Sequence, residues 1–588
     1  MPESGQMIAK YYQDELHYLR ELGRELSEQH PEAAPYLAEA SSDPSVERLL
    51  EGFAFLTGRL REKIDDELPE FSQALLESLF PHFLRPAPSL TIMQARPLPK
   101  AVTQVTTVPR GASLDSAPVD GTRCRFVTTT DVDVVPVKVG DVWLIRGTEP
   151  RIHVEVQLLH GSSFARLGQD KLRFYLAGDP VVARQLHLCM GAYLRHVEVV
   201  TASQDGSERR SRLPGRGCQM AGTNDNEMVL AGNRSEFAGY NLLHEYFAYP
   251  ERFMFVDVEG LSQAPNLTDS GQFELVFHLD SLPDSLPDLD ERNFLVNCVP
   301  AVNLFDHAAD PIHVSGEQVE YQVRPTATDV NHYQLYDLES VVGLVGQEAL
   351  KRDYLPMFRY DERDQDLACF YSISQRPSLR GGRIDHYLTL QHGPGITDHA
   401  LGATLSIDLR CTNGNLPQAL DIGDVTRPVS GVPADVRLRN VTKPSGVIQP
   451  PVDGDLHWRL LGLLNCNGAS LANVDSLRSL INVFNFRGHV NRHERQAGER
   501  LKESIRAVRS TPEKRLHDGS FISGSHVEID LDEDAFANPG DLYFFASVVA
   551  DVLAQFVALN AFVRVSVRGA RYGEQHTWPA RLGRTWVI

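Results

Sequence analysis

Two histidines, His489 and His493, stand four residues apart, which puts both imidazoles on one face of a helix at the spacing zinc ligands use. Their setting argues against a metal: Arg487, Arg492 and Arg495 crowd the pair with like charge. His244-Glu245 opens like a zinc-protease helix, but no second histidine follows four positions after the first. It sits in the aromatic run LLHEYFAYP, which reads as core. The Gly-rich LPGRGCQMAG (213–222) lacks the spacing of a dinucleotide loop, and neither a P-loop nor a G-x-S-x-G elbow occurs. The 78 carboxylates supply many acid pairs, and spacing alone selects none for acid–base work. The expectation is therefore a protein that is not an enzyme, with no catalytic, cofactor-binding or metal residue. Two rival readings stay open: a hydrolase hidden in a β-rich body, and a module that binds an effector.

One polar cluster and two basic stretches ask for an account. In VNCVPAVNLFDHAADPIHV, the residues Asn297, Pro300, Asn303 and Asp306 resemble a ligand set on paper. A strand, a proline turn and a second apolar segment explain them as scaffold, with Asn303 bonding to nearby backbone. SERRSRLPGRG (207–217) reads as an arginine-rich loop. Arg487 to Leu516 holds nine Lys/Arg against four Glu. Either stretch can be a solvated face with internal ion pairs, or can steer an acidic partner into place. On the second reading Arg506 and Arg509 are candidate interface residues.

The elements around these residues fall into three regions. Up to Pro88 the pattern is helical. Ile8, Tyr12, Leu16, Leu19, Leu22 and Leu26 recur at helical spacing over residues 7–29. Asp43-Pro44 starts a second helix of about 20 residues, whose Val46, Leu49, Leu50, Phe53, Leu56, Leu60 and Ile64 form one stripe. A third runs from Pro69, with Phe71, Leu75, Leu76 and Leu79 on one side, and ends at Pro81. These stripes have too little chain beside them for a large core of their own. After LRPAPS (84–89) the sequence alternates or runs β-branched to about residue 450, as strands do. From about 451 helices and strands mix again. The reading is an α+β multi-domain protein. It has a helical assembly region (1–88), a β-rich central body (89–450) with a break near 200–240, and a compact α+β C-terminal domain (451–588).

Bulk properties narrow the function. A net charge of −21 opposes nucleic-acid binding, because phosphates would be repelled. Seven scattered cysteines without a CxxC pair suit reduced thiols in a cytosolic compartment. The N-terminus shows no secretory signal pattern. The most apolar run, Leu542 to Val563, carries Asp551, Gln555 and Asn560 and reads as a buried helix rather than a membrane span.

The segment SDPSVERLLEGFAFLTGRLREKIDDELPEFSQALLESLFPHFLRP resembles the N-terminal signature of TssF (the ImpG/VasA family), baseplate subunits of bacterial type VI secretion systems. LLHEYFAYPERFMFVDVEGL (242–261), NFLVNCVPAVNLFDHAADPIHV (293–314), LRCTNGNLPQAL (409–420) and WPARLG (578–583) extend the likeness in order along nearly the whole chain. The resemblance implies a structural part of the baseplate wedge, two copies joining one TssG around the VgrG spike. It implies contacts with TssK and TssE, help in starting sheath polymerisation, and a place in the bacterial cytoplasm against the inner-membrane face. No direct membrane insertion is expected. Where the contacts lie is expected from the apolar stripes: Leu16, Leu19, Leu49, Phe53, Leu56 and Leu60 would enter a bundle shared with other chains.

Overall fold

The computed structural model describes residues 12, 13, 16, 19, 48–49, 51–57, 69–98, 104–159, 164–202, 207–230, 238–267, 271–315, 318–345, 350–357, 369–378, 383–392, 403–451, 454–464, 471–517, 520–571 and 573–583. The chain divides into two compact units, one made of residues 1–79 with 452–461, the other of 80–451 with 462–588. In the smaller unit, residues 48–49 and 51–57 are helical, and Pro69–Leu79 forms the expected third helix. Ser72 Oγ lies 3.1 Å from His457 Nδ1, and Phe71 meets Trp458 at 6.2 Å between ring centres. Of the helix expected over 7–29, Tyr12, Gln13, Leu16 and Leu19 are described and helical. Leu60 lies outside the described residues.

Among the described residues, the larger unit is built on five substantial sheets. The first brings together distant parts of the chain: Leu90–Pro97 lies between Cys298–Val302 and Val436–Asn440, with Ile92 opposite Pro300 and Met93 opposite Asn440. Its inward side chains, among them Met93, Leu114, Phe126 and Val425, are fully buried. A five-stranded sheet runs in the order Glu208–Arg212, Leu194–Ala202, Gln272–Leu279, Arg151–Leu158, Val137–Ile145. A four-stranded sheet holds Cys218–Ala221, Phe255–Glu259, Lys171–Leu176 and Phe294–Val296.

Residues 305–412 form a sheet that closes on itself. Phe305–Ala308 pairs with Thr404–Thr412 at one side and Glu320–Val323 with Ile384–His392 at the other. Ala309 then bridges Pro325, with Asp310 N donating to Arg324 O at 2.8 Å and Thr326 N to Ala308 O at 2.9 Å. The result is a barrel whose interior is filled by Leu388, Leu405, Leu409, Cys369 and Cys411. Closure removes exposed edges, which suits a strand-rich body.

The C-terminal sheet has Ile505–His517, Ser520–Leu531, Ala561–Gly569 and Gln575–Thr577 side by side, with Arg581–Leu582 also on Ala561–Gly569. The parallel pair Ser520–Leu531 and Ala561–Gly569 is joined by the helix Pro539–Gln555. Asn538 caps that helix through Oδ1, which accepts from Asp541 N at 3.0 Å, and Pro539 fits its first turn. The run Leu542–Val563 is thus buried mainly up to Leu553, with Leu559 and Asn560 exposed, and it is only partly helical. The helix stops at Gln555, Asn560 takes a left-handed φ of 68°, and Ala561 begins a strand. Gly540 is required by close packing, since a Cβ there would stand 2.5 Å from Arg184 O.

An aromatic knot ties the helices of this unit. The turn Pro81–Leu84 inserts Phe80 and Phe83 beside Phe484 and Phe486, with Phe83 and Phe486 edge to face at 5.0 Å. Tyr240, from the helix Ala238–Ala248, stacks on Phe484 at 5.6 Å and donates its hydroxyl to Leu463 O at 2.6 Å.

Burial pushes several histidines down, among them His82 and His187 to about 3 and His244 and His386 to about 4. Each is neutral when folded but takes up a proton below about pH 6.5 when unfolded. Their contribution to stability is therefore complete above that pH and falls as pH drops from 6.5 towards 4, by about 1.4 kcal/mol per pH unit per histidine. Urea midpoints measured at pH 7.5, 6.0 and 5.0 are expected to fall already by pH 6.0. A midpoint constant down to pH 5.0 would contradict this.

Candidate protein-interaction surfaces

The apolar stripe read at Leu49, Phe53 and Leu56 faces water. Spacings of four and three put these side chains on one helical face, and they are 74%, 55% and 65% exposed. Ala54, on the other side of the helix, is fully buried. Leu16 and Leu19 are half-buried. Isolated exposed leucines are ordinary, but a continuous stripe of large apolar residues marks a place for a partner.

Arg506 and Arg509 lie on the strand Ile505–His517 rather than on a helix, because the helical part of the basic stretch ends at Ser504. A bulge falls at Arg506, between Ile505 opposite Leu531 and Ala507 opposite Asp530. It lets both guanidiniums reach the same acidic margin: Arg506 meets Asp532, and Arg509 meets Asp530 at 3.1 Å. Arg568 holds Asp530 from the other side at 3.0 Å. Both candidate arginines stay more than half exposed. The same hairpin shows a feature that the reading of charge missed. Near its end Leu516 pairs with Phe521, and these side chains are 62% and 79% exposed. The apolar signal there was one residue on each side of a turn, too short for a periodicity count.

The other basic stretch is strand over Glu208–Arg212 and loop, as expected, over 213–217. Glu208–Arg212 forms the edge of the five-stranded sheet, where alternating charges deter pairing with another chain. Arg216 donates to Leu194 O at 2.6 Å, a structural use. His489 Nε2 lies 3.0 Å from Asn482 O, while His493 starts a separate helix capped by Asn491. Asn297 adopts φ 57° and clamps Val135: its Oδ1 accepts from Val135 N at 3.0 Å and its Nδ2 donates to Val135 O at 2.9 Å. Asn303, fully buried, donates to Arg125 O at 2.7 Å and accepts from Asn413 N at 2.7 Å. The cluster is scaffold, as its flanking strands suggested.

The LLHEYFAYPERF segment holds a buried ion pair that spacing alone did not reveal. Glu245 and Arg252, seven residues apart across a helix end, pair with essentially no exposure. Glu245 also accepts from Val229 N at 2.8 Å and Leu230 N at 2.7 Å, and Arg252 donates to Glu227 O at 3.1 Å. Arg173 extends the network to Glu227 and Asp257, each at 2.6 Å. Burial pushes the Glu245 carboxyl up, against the pull of Arg252 and the two amides.

A cleft of about 570 Å³ opens beside the helix Pro539–Gln555, lined among others by Arg216, Cys218, Tyr543, Asp551, Trp578 and Arg581. Two of the groups that could do chemistry there are accounted for. Asp551 is fastened to Arg581, and burial pushes the Cys218 thiol up to about 12, so it is no thiolate at neutral pH. Among the described residues no helix is long and apolar enough to cross a membrane.

A family model described as type VI secretion system, TssF, matches residues 5–585. The type VI secretion system component TssF1 of Pseudomonas aeruginosa is 30% identical over 98% of this chain and 98% of its own length. A chain in the cryo-electron microscopy structure of the type VI secretion system TssK-TssF-TssG baseplate subcomplex superposes with a TM-score of 0.73. It is 28% identical, covering 92% of this chain and 99% of that one. A chain of the baseplate complex from the type VI secretion system gives 0.59 at 25% identity, over 99% and 100%.

The buried pair makes a sharp stability prediction. Glu245→Ala strands the Arg252 charge and is expected to cost about 3–5 kcal/mol, whereas Glu245→Leu with Arg252→Met removes both charges and recovers most of it. Urea unfolding of both variants checks this; a double variant as unstable as the single would refute it.

Proposed function

The chain belongs to the TssF family of type VI secretion systems, and we propose that it is a structural subunit of the baseplate wedge. The observation that carries this reading is the water-facing stripe of Leu49, Phe53 and Leu56. Each such side chain gains about 1.5–3 kcal/mol when covered, so a bundle with other chains is the arrangement that stabilises it. The helical region 1–88 serves assembly. The β-rich body 89–450, with its closed barrel, is a rigid spacer, and the unit 451–588 offers a second contact through its arginine-bearing hairpin.

Two copies join one TssG, with TssK and TssE attached and the VgrG spike at the centre, and the wedges so formed help to start sheath polymerisation. The assembly sits in the bacterial cytoplasm, docked at the inner-membrane face through the secretion membrane complex. Leu16, Leu19 and Leu60 belong to the same bundle on this reading. The net charge of −21 fits a chain that assembles with proteins and not with nucleic acid. A role as a scaffold without turnover is supported by the committed carboxylates, Glu245 and Asp551, each held by an arginine.

Co-expression with TssG tests the stripe. Phe53→Asp with Leu56→Asp removes about 3–6 kcal/mol of burial and is expected to reduce co-purified TssG at least a hundredfold, with the unfolding midpoint of the chain unchanged. Wild-type recovery of TssG would show that the stripe makes no contact. Arg506→Glu with Arg509→Glu is expected to slow association and flatten its salt dependence more than it weakens the finished complex. An association rate unchanged at low salt would remove the hairpin arginines from the interface.

A further inference from the structure

The outer face of the five-stranded sheet carries a cluster that the assembly role does not use. Leu194–Ala202 and Gln272–Leu279 are antiparallel neighbours, and His196 lies directly opposite His278. Glu198 is two residues along from His196, so the alternation of the strand puts all three side chains on one face. The imidazoles stack at 4.4 Å with 9° between their planes. His196 Nε2 is 3.5 Å from Glu198 Oε1, and His278 Nε2 is 3.1 Å from Oε2. One donor atom from each residue falls within 4.8 Å of the others, and all three side chains remain partly exposed.

From this we propose that His196, Glu198 and His278 bind a divalent transition metal, zinc foremost. Three observations carry it. First, each Nε2 faces one oxygen of the same carboxylate, at 3.5 and 3.1 Å, near the roughly 3.3–3.5 Å between ligands about 2.0–2.2 Å from a tetrahedral zinc, and a turn of the stacked rings would bring both nitrogens to bear on one ion. Second, a metal can take the place of the proton that each Nε2 would otherwise share with Glu198, so the carboxylate and both rings keep their neighbours. Third, two imidazoles with one carboxylate suit a borderline ion, and not calcium or magnesium, which want oxygen throughout.

The surroundings permit the charge. Arg210 comes within 4.0 Å of Glu198 but already pairs with Glu208 at 2.8 Å, and Arg151 pairs with Glu149 at 2.8 Å. Glu274, on the same face, is engaged by His153. The fourth position opens to solvent and takes water. Bound there, the ion clips two neighbouring strands whose other connection is the hydrogen-bond ladder.

The full-length protein is incubated with excess zinc chloride and gel-filtered, and retained zinc is measured by atomic spectrometry. The wild type is expected to keep about one more zinc per chain than either His196→Ala or His278→Ala. Glu198→Gln, which keeps the side-chain shape, is expected to raise the Kd at least tenfold, and His489→Ala to change nothing. Excess calcium should leave the retained zinc unaltered. Equal zinc in the wild type and the two histidine variants, at any level, would overturn the site. A loss of zinc equal in His489→Ala would also do so, by showing non-specific binding.

Discussion

Leu49, Phe53 and Leu56 stand in water on a helix whose opposite side already holds Ala54 in a dry contact. That is the constraint on which the functional reading turns. A helix with one buried side and one apolar exposed side has been given two surfaces to cover, and its own unit covers one. The free energy at stake is several kcal/mol, comparable to the whole stability of a typical domain. A partner that covers the stripe is thereby stabilised against dissociation without any special polar chemistry.

The larger unit has the opposite character. Its barrel is closed by the Ala309–Pro325 bridge, its aromatic rings lock Phe80, Phe83, Tyr240 and Phe484 together, and its buried charges answer one another. What it offers outward is electrostatic: arginines on a bulged edge strand, and a hairpin end with Leu516 and Phe521 exposed. Charges of this kind orient an encounter, and apolar contact then holds it.

Much of this was legible from the residues. The third helix and its end at Pro81, the strand-rich middle, and the scaffold role of Asn297 and Asn303 all follow from periodicity and turn chemistry. The failures share one cause, which is that spacing along the chain is blind to neighbours across a sheet. The stretch around Arg506 shows only charge in sequence, and it becomes a strand because Ser520–Leu531 supplies a ladder. SERRSR looked like loop because charge hides alternation, although its backbone simply completes a sheet edge. Glu245 and Arg252 meet only because the chain turns at Tyr249-Pro250. His278 lies about eighty residues from His196, so no motif could join them, whereas His489 and His493 had helical spacing and end on separate helices.

The account stands on the stripe becoming covered. Hydroxyl-radical footprinting reads side-chain exposure directly, and can be run on this chain alone and on the complex with TssG. The account predicts that oxidation of Leu49, Phe53 and Leu56 falls several-fold in the complex while Trp143, half-exposed on the body, serves as the comparison. Equal oxidation of the three residues in both samples, with TssG bound, would contradict it.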